Sequence, residues 1–294
     1  MSDEPIATER VNPKTVDLDC LDGRALIDLL VEDQLFAIHA VRTRSTELAA
    51  VVEIAIDRIR RGGHLHYVGA GTSGRLGALD AAEIPPTFGT NPELVRAHLA
   101  GGPDALVRAV EGAEDDRDAG EAVMRRHVVS GDVVIGLSAS GGAPFVIAAL
   151  ERAREIGAYT VALVGVGESP LARAAEFTIV LETGPEALTG STRLKAGSAQ
   201  KIALNALSTA VMIGLGKVHG NLMVDVVASN RKLRDRAARL VRHLAGVDEG
   251  AARALLARAD GRVKVAVVMA RRDLDAPAAA ALLERAGGSL RSLL

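Results

Sequence analysis

Apolar positions along the chain follow two different periods. Between residues 22 and 56 they recur every three or four positions, through Ala25, Leu26, Leu29 and Leu30, then Phe36, Val41, Leu48, Val51, Val52 and Ile56. That spacing predicts two amphipathic helices. From residue 65 onward the pattern changes to short continuous apolar runs rich in Val, Ile and Leu, at residues 65–68, 95–99, 133–137, 160–164 and 177–181. Helical patterns separate them, at residues 104–110, 116–127, 144–156 and near Leu171. Fully apolar strands alternating with helices predict a parallel sheet covered on both faces, an α/β fold. Ligands of such sheets bind beyond the carboxyl ends of the strands.

Beyond residue 194 the chain reads as helical. Residues 195–217 carry Ile202, Leu204, Leu207, Val211, Met212 and Leu215 on a broad apolar face, suited to a core helix that also forms a dimer. Residues 232–244 make another amphipathic helix. Three short helices follow at 248–258, 261–271 and 275–286, punctuated by Asp260-Gly261 and Asp273-Leu274-Asp275. The expected organisation is an N-terminal arm and helices over 1–60, an α/β domain over 61–230 and a small C-terminal three-helix bundle over 231–294. The bundle's Arg and Lys side chains are expected on a solvated face. Residues 5–20 read as an extended, polar arm, and such chain ends are usually mobile.

The loops after two predicted strands carry the chemistry. The first holds Gly69, Gly71 and Gly74 with Thr72 and Ser73 between them, and a helical pattern follows. Glycines let a backbone approach an anion, and the first N–H groups of a helix point at it. Ser73 is placed as the helix N-cap or as a phosphate ligand. The helix is expected to end near Glu83, because Pro85 and Pro86 cannot continue it. The same glycines fit a dinucleotide fingerprint, but that reading needs an acidic residue after the next strand, where Ala100-Gly101-Gly102 stands instead. The second loop, Ser138-Ala139-Ser140-Gly141-Gly142-Ala143-Pro144, repeats the hydroxyls and glycines, with a proline to open the next helix. Two such loops on one sheet point to a phosphomonoester.

Composition narrows the ligand further. A net charge of −2 gives no overall attraction to nucleic acid or to an anionic membrane. With no Trp, two Tyr and four Phe, base stacking is disfavoured as well. No run of about 20 apolar residues is present, and the start of the chain is acidic rather than signal-like. Cys20 is the sole cysteine, which fits a reducing cytoplasm. A small anionic molecule, with no nucleic acid and no membrane, is the expected partner.

The two loops resemble the sugar isomerase (SIS) domain family of phosphosugar-binding proteins. Within it, longer stretches resemble the N-acetylmuramic acid 6-phosphate etherases: residues 69–89, Glu111-Gly112-Ala113-Glu114-Asp115-Asp116, residues 184–197 and Gly216-Lys217-Val218-His219-Gly220-Asn221-Leu222-Met223-Val224-Asp225-Val226. The likeness runs from about Thr8 to the C-terminus, and the last three helices resemble a ubiquitin-associated-like bundle. The resemblance implies a lyase that removes the D-lactyl ether by elimination and water addition, without a metal or organic cofactor. It implies Glu83 as the proton donor to departing lactate, Glu114 as the base, and Thr72, Ser73, Ser138 and Ser140 around the phosphate. Departures from the family are Ala143 where a threonine is usual, Gly142 and Phe145 near positions that carry Arg and Tyr, and Gly165-Val166-Gly167 in place of Cys-Asn-Pro. A non-catalytic phosphosugar-sensing regulator and a phosphosugar isomerase stay open as alternatives. A DNA-reading regulator is disfavoured by the acidic Glu32, Asp33, Glu47 and Glu53 on the N-terminal helices. Ten helical residues separate Ser73 from Glu83, roughly 15 Å at about 1.5 Å each. A phosphosugar cannot reach both, so Glu83 is expected to serve the second subunit of a homodimer.

Overall fold

The computed structural model describes residues 5–226 and 231–294. The acidic start at residues 1–4 and the expected domain boundary at residue 230 lie outside the described residues. The chain divides into two compact units, residues 1–81 with 93–207, and residues 82–92 with 208–294.

In the first unit three helices precede the sheet, α1 (Gly23–Asp33), α2 (Leu35–Arg42) and α3 (Ser45–Arg60), where two were expected. The extra break comes from hydroxyls. Thr43 donates to the Ala40 carbonyl at 2.9 Å and Ser45 to the Arg42 carbonyl at 2.7 Å, side-chain bonds that compete with the helical ladder. Strands β1 (Leu65–Gly69), β2 (Val95–Leu99), β3 (Val133–Ser138), β4 (Tyr159–Val164) and β5 (Phe177–Val180) then form one parallel sheet in the order β2-β1-β3-β4-β5. The order reverses between β1 and β3, so the loops leaving those strands diverge and open a crevice at the carboxyl edge.

The connecting helices are α4 (Gly71–Phe88), α5 (Arg117–His127), α6 (Pro144–Ile156), α7 (Pro170–Ala174) and α8 (Lys195–Gly214). Val134, Val146, Ala149, Leu150, Met124 and Ala162 pack α5 and α6 onto the sheet. Two expectations fail here. Residues 104–110 form a single 3-10 turn, Pro103–Leu106, because the Ala105 and Arg108 carbonyls accept from the Arg75 guanidinium. α4 runs through Pro85 and Pro86 to Phe88, since the prolines remove two donors in the last turn while the Gly89 N–H still reaches the Pro85 carbonyl at 2.9 Å.

The N-terminal arm is docked, not mobile. Thr8 and Asn12 are buried, Asn12 donates to the Pro185 carbonyl and Thr15 to the Ala187 carbonyl. Nearby, the buried Glu186 accepts the N–H groups of Lys195 and Ala196 and so caps α8 with a negative charge, while burial raises its pKa. Lys195 in turn pairs with Asp33 at 2.8 Å, both buried.

The amino ends of the strands carry a second polar cluster. The buried Asp132 carboxylate accepts the backbone N–H groups of His64 and Val129, each at 2.8 Å, and contacts His64 Nδ1 at 3.1 Å and His66 Nε2 at 3.2 Å. Burial pushes its pKa up, but the hydrogen bonds from His66, Val129 and His64 prevail and hold it at about 2. His66 Nδ1 lies 3.0 Å from His98 Nε2, and the His98 ring stacks on His66. Burial, then the neighbouring His66, His127 and Arg96, lower the His98 pKa to about 3, so the ring is neutral at pH 7.

The second unit contains a short hairpin, β6 (Val218–His219) with β7 (Leu222–Met223), and helices α9 (Arg231–Ala245), α10 (Glu249–Arg258), α11 (Val263–Arg272) and α12 (Ala276–Arg285). Asp248 and Asp275 cap α10 and α12 by accepting N–H groups at 2.8 and 2.9 Å. One cation departs from the expected solvated face. Lys264 is buried in the bundle, donates to the Gly216 and Gly288 carbonyls at 2.8 and 2.7 Å and pairs with Asp225.

Candidate active site

A cleft of about 410 Å³ lies at the carboxyl edge of the sheet, between the loops that leave β1 and β3. Gly71 begins α4 with φ +51°, a value glycine adopts without strain. Gly74 allows the helix to sit against its strand. A Cβ there would fall 2.5 Å from the Gly69 carbonyl oxygen and 2.3 Å from Leu99 Cδ1. The first residues of α4, Gly71, Thr72 and Ser73, therefore line the cleft.

The β3 loop supplies the facing wall. Ser138 Oγ accepts the Gly141 N–H at 3.0 Å and Ser140 Oγ accepts the Gly142 N–H at 3.2 Å. Each hydroxyl thereby has its oxygen held and its proton free to donate. α6 starts at Pro144, with Ala143 at the N-cap making no side-chain bond. Two helix N-termini thus meet in one cleft, and their dipoles favour an anion. Among the described residues no Lys or Arg lines it, and the charged lining residues are Glu9, Glu114 and Asp115.

The structure brings Thr72, Ser73, Ser138, Ser140 and Glu114 together in this cleft. Glu114 is exposed in the 3-10 turn Ala113–Asp115, which follows Gly112 in the left-handed region and precedes Asp116, the N-cap of α5. Arg75 tethers the same loop by donating to the Ala105 and Arg108 carbonyls at 2.8 and 3.1 Å. Glu83 is exposed on α4, ten residues beyond Ser73, and does not line the cleft.

Ser73 is not an N-cap. It is the third residue of α4, buried, and donates to Gln200 Oε1 at 2.8 Å. The Gln200 Nε2 beside it is buried without a hydrogen-bond partner. Sequence reasoning did not reach Glu9, Thr192 or Gln200. Glu9 lay in an arm read as mobile, and Gln200 sits 127 residues from the serine it contacts, with no local pattern to mark it.

A parallel sheet with two hydroxyl-bearing loops at its switch point is the architecture of SIS-domain proteins. Residues 113–210 match the SIS domain, and residues 47–154 match the glucokinase regulatory protein N-terminal SIS domain. Among solved structures, a phosphoheptose isomerase from Francisella tularensis is similar at a TM-score of 0.49 and 16% identity, over 66% of this chain and 100% of that one. A relative from Deinococcus radiodurans is 51% identical over 99% of this chain and 96% of its own length, and one from Streptomyces coelicolor is 48% identical over 99% and 94%. A third, from a Nostoc species, is 48% identical over 97% and 94%. All three are named N-acetylmuramic acid 6-phosphate etherase, and the chain belongs to that family.

Proposed function

We infer that this chain is a carbon–oxygen lyase that converts N-acetylmuramic acid 6-phosphate and water into N-acetylglucosamine 6-phosphate and D-lactate, in amino-sugar recycling. The observation that carries the inference is 51% identity over 99% of the chain to a relative of that name. The cleft supports it chemically. The phosphate sits against the N-termini of α4 and α6, held by Thr72, Ser73, Ser138 and Ser140. Turning the Gln200 amide over would let Nε2 donate to Ser73 Oγ and release the serine proton to the phosphate.

In the open-chain sugar the C2 hydrogen is acidic because it lies next to the aldehyde. Glu114 removes it as general base, the C3–O bond breaks, and a proton donor neutralises the departing lactate oxygen. Water then adds at C3 of the unsaturated aldehyde and C2 regains a proton. Glu114 is well sited for both proton transfers because it shares the cleft with the phosphate cradle.

Glu83 is the proposed proton donor, acting in the cleft of a second subunit. Ten residues of α4 span roughly 15 Å, more than a phosphosugar covers from its phosphate to C3. Exposed apolar side chains on α1 and α2, Ile27, Val31, Leu35 and Ile38, are consistent with a homodimer. A reducing compartment, the cytoplasm, suits a chain whose one cysteine is unpaired.

Incubation with N-acetylmuramic acid 6-phosphate and an assay for D-lactate test the reaction. A folded protein that binds the phosphosugar and releases no lactate would overturn it in favour of a sensor. Mixed dimers of Glu83→Ala and Ser138→Ala chains test the shared site. Activity above that of either variant alone is expected, and no recovery in verified heterodimers would remove Glu83 from the partner's cleft.

A further inference from the structure

The polar cluster at the amino ends of β1 and β3 has no part in the proposed reaction. Its position follows from the strand register. Leu65 pairs with Val133, so His64 and Asp132, one residue earlier on each strand, face one another across the sheet edge. Side chains two apart on a strand share a face, which brings His66 to the same carboxylate. His64 Nδ1, His66 Nε2 and a carboxylate oxygen of Asp132 all lie within 4.8 Å of one another.

The donor set is that of a transition-metal site. Two imidazole nitrogens and one carboxylate select zinc-class ions over magnesium or calcium, which prefer all-oxygen shells. Each carboxylate oxygen already faces one imidazole: His64 Nδ1 lies 3.1 Å from Asp132 Oδ1 and His66 Nε2 lies 3.2 Å from Asp132 Oδ2, so an ion held between the rings would meet both oxygens. The carboxylate is locked by the backbone N–H groups of His64 and Val129, so it would not have to be ordered by the ion.

Outer contacts support the same reading. A metal on Nε2 of His66 requires its proton on Nδ1, and Nδ1 already lies 3.0 Å from His98 Nε2, a buried partner able to accept that proton's hydrogen bond. For His64 the proton moves to Nε2. Its side chain is 32% exposed, while those of His66 and Asp132 are fully buried. Entry and a water ligand in the fourth position are therefore available from the His64 side.

We propose that His64, His66 and Asp132 bind one divalent transition-metal ion of the zinc class, clamping the amino ends of β1 and β3. The site is separate from the cleft. It lies at the start of β1, and the cleft lies beyond its far end, about 15 Å away at about 3.3 Å per residue.

The experiment uses tag-free, chelator-treated full-length protein titrated with Co²⁺ and then Zn²⁺. One ion per chain, ligand-field absorption in the visible on Co²⁺ binding, and a higher Tm with Zn²⁺ are expected. His64→Ala should abolish saturable binding, and His98→Gln should weaken it about 10- to 100-fold. If His64→Ala unfolds, His64→Gln, which keeps side-chain volume and loses the ligating nitrogen, gives the same readout. A control that replaces the exposed His39 and His243 by Ala should bind as the unmodified chain does. Absence of binding, equal binding by His64→Ala, or loss of binding in the control would each overturn the proposal.

Discussion

The two ends of the same strands handle polar groups in opposite ways. At the carboxyl edge, Ser138 and Ser140 accept backbone N–H groups and keep their protons, and α4 and α6 both begin at the cleft. At the amino edge, Asp132 accepts two backbone N–H groups and lies within 3.2 Å of two imidazole nitrogens, and the His66–His98 pair is stacked and buried. One edge holds donors in reserve for an anion from solution. The other spends nearly everything on itself and opens outward through the His64 ring. An unsatisfied donor is tolerable where water or ligand reaches it, and costly where neither does.

Four changes would break or sharpen that contrast. The largest effect is expected from Glu114→Gln, which keeps the cleft's shape but removes the proposed base. Lactate formation should fall about 10²- to 10⁴-fold with an unchanged melting temperature, because the side chain is exposed. At the opposite edge, Asp132→Asn should leave buried imidazole and amide N–H groups facing one another. A loss of about 3 kcal/mol in urea unfolding is expected, while the Km of the folded fraction stays put.

Acidification probes the same edge without mutation. His98 has a folded pKa of about 3 against an ordinary value of 6.5, so between those limits the unfolded chain binds more protons. Stability therefore rises with pH through this window and is lost on acidification, by up to about 1.4 kcal/mol per pH unit below about pH 6. Asp132 adds its own loss below about pH 4, as pH falls toward its folded pKa of about 2. Urea midpoints at pH 7, 6 and 5 should show the slope in the unmodified chain, and a His98→Gln variant should flatten it. The smallest effect is expected at the anion edge. Ala143→Thr would supply the side-chain cap that α6 lacks, adding about 1 kcal/mol of stability and a further hydroxyl that lowers Km.

Much of this contrast was legible one residue at a time. The five strands announced themselves as short apolar runs, and Thr72, Ser73, Ser138 and Ser140 as hydroxyls among glycines just after two of them. Local reading failed where a distant group overruled the backbone's own preference. Arg75 draws the Ala105 and Arg108 carbonyls away from a helix, and Asn12 and Thr15 pin an arm that looked solvated. α4 passes Pro85 and Pro86 because two missing donors in a last turn do not stop the next N–H from bonding.

By itself the sequence determined the five strands in their chain order and the two hydroxyl loops, since each depends on neighbours a few positions away. Tertiary structure alone decided which carboxylates line the cleft: Glu9, Glu114 and Asp115 do, and Glu83 is not among its lining residues. It also decided that His64, His66, His98 and Asp132, spread over 68 residues, share one cluster. Strand register and order set those meetings, and they are properties of the whole sheet rather than of any segment within it.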